Sequence, residues 1–191
     1  IKRYGNPFDI PLTQTGTVRQ EVKNRLMSDA SYVKFIKTLV PKTAKEYKML
    51  MRVFAGGYTH ANRYYAGIPI TGKITHRDFT SSYPTWMIAG KYPMTPWIYT
   101  ASHELPDKST FDDTAYIMLL KFRRLNCKTC NTYIQASKCN GKGFLFDNGR
   151  VIKADECELY CTEQDFLTIS ETYEWEDVEV ERLYKSYKDY L

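Results

Sequence analysis

No apolar run in the chain approaches the ~20 residues that a membrane-spanning helix needs. The opening stretch IKRYGNPFDIP has no apolar core of the kind a secretory signal carries. A membrane partner is therefore not expected. Internal repeats and low-complexity linkers are missing too, which excludes solenoids and disordered arrays. Charge of one sign is scarce: a net charge of +5 permits a polyanionic partner without demanding one. Histidine is equally sparse, and His60, His76 and His103 are assigned no catalytic or metal role. What remains is an ordinary globular composition, 43% hydrophobic and 26% charged over 191 residues.

Aromatic residues are abundant: sixteen Tyr, nine Phe and three Trp. Rings beside Lys and Arg suit nucleic acid, since they stack on bases while cations meet phosphates. Half-buried sheet faces use the same residues. The five cysteines are Cys127, Cys130, Cys139, Cys157 and Cys161. An odd number without a secretory segment reads as reduced thiols. The C-x-x-C spacing of Cys127 and Cys130 leaves a zinc site open, although Cys157 and Cys161 on one strand would face the same side.

Three amphipathic helices are expected first. TVRQEVKNRLM offers a capping box at Thr17 and Gln20, SYVKFIKTLV stops at Pro41, and TAKEYKMLMRVF opens on Thr43 and Glu46 and ends at Gly56-Gly57. Residues 71–79 (TGKITHRDF) read as a strand with a polar face, and YPTWMIAGKYP as a short helix with Pro84 in its first turn. TAYIMLLKFRRL is a long strand. Asp112 and Asp113 before it are read as turn residues. Gly141, Gly143 and Asn148-Gly149 punctuate a hairpin. CELYC is a strand, Thr162 caps a helix, and DVEVERLYKSY closes as a strand. The fold class is α+β, with a minor boundary near residue 100.

Two stretches carry chemistry. In HRDFTSSYPTWM, Asp78 would sit at a strand's end, open on one side. A carboxylate and the Phe79 carbonyl are hard oxygen ligands suited to Mg2+. The amides of Thr80 to Tyr83 could face a triphosphate as the chain enters a helix. The Tyr83 ring could pack on the sugar and exclude a 2′-hydroxyl. A strand end and turn is the plain alternative. In FAGGYTHAN, Gly56 and Gly57 allow close approach of another backbone, and Phe54 and Tyr58 add stacking surface; a helix C-cap is the alternative. The Lys121, Arg123 and Arg124 cluster is read either as a solvated sheet edge or as a phosphate contact. Lys138 and Lys142 could touch duplex DNA or a protein partner.

FAGGYTHAN followed by RDFTSSYPTWM resembles the polymerisation half of family B DNA polymerases, in the protein-primed branch of phages and organelles. The family's Y-x-G-G element falls on Phe54, Gly56 and Gly57, with Phe for Tyr. Its D-x-x-S-L-Y-P motif falls on Asp78, Ser81, Ser82, Tyr83 and Pro84, with Ser82 for Leu. The resemblance implies an antiparallel palm sheet with packed helices plus a small α/β insertion. It divides the chain into a helical lead-in (residues 1–57), a palm core (58–100) and an insertion-bearing region (101–191). It implies Asp78 as catalytic acid, Asp78 and Phe79 as ligands of Mg2+, and Phe79, Ser81, Ser82 and Tyr83 around the nucleotide. Phe54, Gly56, Gly57 and Tyr58 would contact template DNA. Template-primer DNA, a deoxynucleoside triphosphate, a priming terminal protein, and exonuclease, fingers and thumb regions are the implied partners, in the cytoplasm of a phage-bearing bacterial host. The family's Y-x-D-T-D hairpin, its K-x-x-x-N-S-x-Y-G fingers signature and its exonuclease carboxylates are not found. The chain therefore reads as a piece of a longer polymerase, inactive alone. The competing reading is a non-catalytic nucleic-acid- or protein-binding module, with zinc on the cysteines.

Overall fold

In the computed structural model, residues 13–59, 63–129 and 131–190 are described. The boundary between two compact units falls between Val40 and Pro41. The first unit contains α1 (Gln14–Ser28) and α2 (Ala30–Leu39). α1 starts earlier than the Thr17 box predicts. Thr13 takes extended dihedrals and its hydroxyl accepts the Gly16 N–H at 3.0 Å, so the first orphan donors are satisfied there. Thr17 lies inside the helix and donates its hydroxyl to the Thr13 carbonyl. Asp29 caps α2. The Ser31 hydroxyl, then the Tyr32 and Ser31 amides, hold its carboxyl below the usual range.

The second unit is α+β. It comprises α3 (Ala44–Val53), α4 (Ser82–Ala89), β1 (Lys91–Pro93), β2 (Ile98–Thr100), β3 (Thr114–Cys127), β4 (Cys139–Lys142), β5 (Leu145–Asp147), β6 (Arg150–Thr162), α5 (Glu163–Thr172), β7 (Tyr173–Glu174) and β8 (Asp177–Tyr190). All described strand pairings are antiparallel, in the order β1-β8-β3-β6-β4, with β2 on β8, β5 on β6 and β7 on β3. β3 is therefore central and bonded on both sides.

β3 is buried on both faces over most of its length, so it reads as an almost continuous apolar run. Alternation still sorts its side chains. Met118, Leu120 and Phe122 face one core with Cys157, Leu159, Cys161, Phe166 and Ile169, which packs α5 on the sheet. Ile117 faces the other way and meets Tyr184 and Met49 of α3. Cys157 and Cys161 share a face, as strand geometry predicts, and both are buried. The Asn148-Gly149 turn has φ of 47° and 72°, the doubly left-handed pair that a two-residue hairpin needs.

One strand expectation fails. Residues 71–79 are exposed and lie outside every helix and strand. Isolated extended chain has nothing to satisfy a ladder, and no described strand pairs with this segment. Asp78 is consequently not at a sheet's rim. The basic cluster is also misplaced as an edge, because β3 is central. Asp112 and Asp113 do lie in a turn.

A buried ion pair fastens the end of β8 to the start of α5. Lys188 and Glu163 lie 2.7 Å apart, only 10% and 6% exposed, and Glu163 also accepts the Tyr116 amide. Glu163→Gln or Lys188→Met alone should cost about 3–5 kcal/mol in urea unfolding, because each strands its partner; the double variant should cost less than their sum. Glycine chemistry offers a second check. At Gly141, φ is +145° and a Cβ would lie 2.0 Å from the Glu156 carbonyl oxygen. Gly141→Ala should therefore destabilise by more than the ~1 kcal/mol expected of Gly149→Ala, where only backbone conformation opposes a side chain.

Candidate functional site

The site is built from α3 outward. Its N-terminus is a closed capping box: the Thr43 hydroxyl accepts the Glu46 amide at 3.1 Å, and Glu46 accepts the Thr43 amide. Met49, Leu50 and Val53 pack on the sheet beside Ile117 and Tyr184. Lys138 donates its ammonium to the Met51 carbonyl at 3.0 Å, satisfying an orphan acceptor in the last turn. The helix ends at Val53, with the Phe54 amide bonded to the Leu50 carbonyl.

The expected glycine stop is thus not the stop. Neither Gly56 nor Gly57 has a left-handed φ, and a Cβ at either would meet nothing within 4 Å. Nothing described in the chain's own packing calls for glycine there. Phe54 is 67% exposed beside them. Tyr58 is held more firmly. Its ring stacks on Tyr133 with centroids 6.2 Å apart, and the Arg150 guanidinium lies 4.8 Å from its centroid. Arg150 is buried and donates to the Tyr133 carbonyl at 2.7 Å. The Tyr133 hydroxyl donates to the Asp165 carboxylate. Burial first, and then Asp165, push the Tyr133 phenol well above its ordinary pKa. Asp165 also closes the Thr162 capping box of α5. A continuous chain of contacts therefore ties the glycine segment to β6 and α5. Tyr133, Arg150 and Asp165 were not flagged in the sequence, since each makes its contacts far along the chain.

The D-x-x-S-x-Y-P stretch is arranged differently. Asp78 is exposed and accepts the amide of Phe79 at 2.9 Å. Phe79 and Tyr83 are 85% and 81% exposed. Ser81 is left-handed, with φ 54° and ψ 36°, and its hydroxyl makes no capping bond to α4. Such a conformation costs a non-glycine residue about 1–2 kcal/mol. Pro84 occupies the first turn of α4, as expected, where its missing N–H costs nothing. At the other end, the Gly90 amide and the Tyr92 hydroxyl both donate to the Trp86 carbonyl, at 2.9 and 2.7 Å.

The two stretches share one cleft through Phe54 and Trp86, and the glycine segment borders a second. Gly56 and Tyr58 line a depression of about 100 Å3 with Tyr133 and Arg150. Phe54 and Trp86 line another of about 920 Å3 with Tyr92 and Trp97. Neither is lined by Asp78, Phe79, Ser81, Ser82 or Tyr83. Among the described residues no three His, Cys, Asp or Glu side chains converge as metal ligands. The Asp78 carboxylate and the Phe79 carbonyl are hard donors of the type Mg2+ takes, but they complete only part of its shell. Cys130 and His60 lie outside the described residues. His76 is exposed. His103 donates through Nδ1 to the Val180 carbonyl at 2.8 Å from an irregular segment.

Three of the cations singled out in the sequence are paired within the protein itself. Arg123 pairs with Glu179 at 2.8 Å, Arg124 with Glu176 at 3.0 Å and Lys142 with Glu156 at 2.9 Å. Lys121 lies in register between Glu158 and Glu179. Apart from the Arg124 pair, whose Glu176 lies just before β8, these are cross-strand charge ladders.

Among the described residues no helix is long and apolar enough to cross a membrane. No protein-family model and no curated protein matches the chain. Solved structures do. Phi29 DNA polymerase complexed with primer-template DNA, in a post-translocation binary complex, superposes with a TM-score of 0.62 at 16% identity over 93% of this chain. The same polymerase with primer-template DNA and incoming nucleotide substrates gives 0.60 at 17% over 83%, and its orthorhombic crystal form 0.56 at 17% over 82%. The chain spans 26–29% of the length of those polymerase chains.

A double-mutant cycle of Tyr58→Leu with Arg150→Met should give a coupling of about 1 kcal/mol in urea unfolding. Strict additivity would contradict the clamp. At this level of identity the structural likeness is one of fold: the chain has the α+β architecture of part of a DNA polymerase.

Proposed function

We propose that this chain is the nucleotide- and template-presenting part of a DNA-directed DNA polymerase, and that Asp78 is its catalytic acid. The observation that carries the reading is the junction at Ser81. There an exposed carboxylate is followed by a left-handed serine and then by a helix whose first amides receive no side-chain cap. Backbone strain of this kind persists where something other than local stability favours it. Uncapped amides at a helix start favour anionic groups such as a triphosphate. The polymerase fold and the D-x-x-S-x-Y-P spacing supply the class of reaction.

In this reading Asp78 and the Phe79 carbonyl would hold Mg2+, and the rest of its ligands would come from outside these two groups. The metal, when bound, neutralises charge developing on the phosphoryl group and the attacking oxygen. The chain's own groups orient the nucleotide. The amides of Ser82 and Tyr83 face its phosphates, and the Tyr83 ring packs where a 2′-hydroxyl would project. Gly56 and Gly57 present bare backbone to the template, consistent with the open space around both, and Phe54 offers its ring to a base. Tyr58 holds that segment through Tyr133 and Arg150. Exonuclease, fingers and thumb regions would come from elsewhere in a longer polymerase, which fits the exposed apolar side chains of α4.

Asp78→Ala in the polymerase carrying this chain should abolish templated incorporation while leaving urea stability and primer-template affinity within about twofold. Unfolding instead would make the acid structural. Tyr83→Ala should relax discrimination against ribonucleotides by roughly 10–100-fold, read from the ratio of kcat/KM values. The 191 residues alone should show no templated primer extension with Mg2+.

A further inference from the structure

We infer that the groove beside α3 is a second nucleic-acid contact, built to hold a single strand of DNA. The choice of polymer rests on the polymerase reading above; the binding surface itself rests on charge and shape.

Lys45, Lys48 and Arg52 recur at spacings of three and four along α3, which puts them on one side of the helix. They line a depression of about 580 Å3 between α3 and the sheet, together with Arg182 and Lys138. A neighbouring depression of about 520 Å3 shares Lys48, Arg52 and Lys138 and adds Tyr47 and Met51. The two adjoin along the helix at Lys48, Arg52 and Lys138 and are taken together as the groove. Its cations differ from those of the strand ladders. Arg123, Arg124 and Lys142 are each neutralised by a neighbouring carboxylate. Lys45, Lys48, Arg52 and Arg182 form no ion pair among the described residues. Glu158 and Glu181 also line the groove, so five cations face two acids and the excess is positive.

Aromatic surface lies among these charges. Tyr47 is 58% exposed, and half-buried Tyr160 lines the inner depression. Cations interleaved with exposed rings are the pattern for a single strand, whose phosphates and unstacked bases are both accessible. A duplex offers phosphates but no open base faces. The groove also leads somewhere: Arg52 borders it and the small cleft that holds Gly56. A strand lying along α3 would run directly into the Gly56-Gly57 segment.

The test uses fluorescence anisotropy with a labelled oligothymidylate on the full-length protein, titrated across salt. The triple variant Lys45→Gln/Lys48→Gln/Arg182→Gln should weaken binding at least 10-fold at low salt. It should also flatten the log Kd against log salt slope by about 2, at ~0.7 per lost phosphate contact. Tyr47→Ala should weaken binding at least 5-fold with the slope unchanged, as loss of stacking requires. Lys108→Gln/Lys153→Gln, outside the groove, should move neither reading by more than twofold. Equal urea midpoints across the variants exclude misfolding as the cause. An unchanged slope in the triple variant overturns the inference. So does a blunt duplex that competes as well as the single strand, or polyglutamate that competes as well as DNA, which would point to an acidic protein partner. A primer-extension assay on the unaltered full-length protein that carries this chain separates the two claims. Groove-dependent binding without templated synthesis keeps the groove and removes the polymerase, and synthesis with an unchanged slope does the reverse.

Discussion

The double-sided ladder of β3 is the constraint on which the second unit depends. It is bonded to β6 along one edge and to β8 along the other, so its backbone polar groups are satisfied without water. That permits both faces of the strand to be apolar. Period-two alternation then gives each face its own helix: α5 over Met118, Leu120 and Phe122, and α3 over Ile117. α3 in turn delivers the Phe54–Tyr58 segment.

Charge on this sheet is partitioned by location. Across β8, β3, β6 and β4, beyond the reach of α3, acids and bases alternate between neighbouring strands and largely cancel. Such pairs are solvent-exposed and contribute little stability. Their effect is to leave that surface without a strong field. Along α3 the cations keep theirs. A residue count cannot separate the two sets, because both are Lys and Arg beside aromatics. Registry separates them.

Polar contacts show the same dependence on distance along the chain. The clamp on Tyr58 joins residues from the α3 exit, the loop before β4, the start of β6 and the first turn of α5. Each residue is ordinary in its local context. Tyr133 could be any half-buried ring, and Arg150 any strand-start cation. Only the packing of α5 and β6 against one another brings the carboxylate, phenol, guanidinium and second ring into a line. The strand expected over residues 71–79 failed for the converse reason. A polar-faced extended segment is locally plausible, but a strand exists only with a partner edge, and none of the described strands supplies one.

What the sequence determined by itself lies within a few residues of its cause. The Thr43 capping box, the helix start at Thr162, the Asn148-Gly149 turn, the proline in the first turn of α4 and the long apolar strand were all legible, because each interaction closes within one turn or one strand. The α+β class was legible for the same reason, as was the spacing of Asp78, Ser81, Tyr83 and Pro84. Tertiary structure alone decided that β3 is central, that Asp78 projects from unpaired chain, that Arg123 and Lys142 are spent on neighbouring acids, and that Lys45, Lys48 and Arg52 are not. Those outcomes depend on which distant residues become neighbours, and no local pattern encodes that.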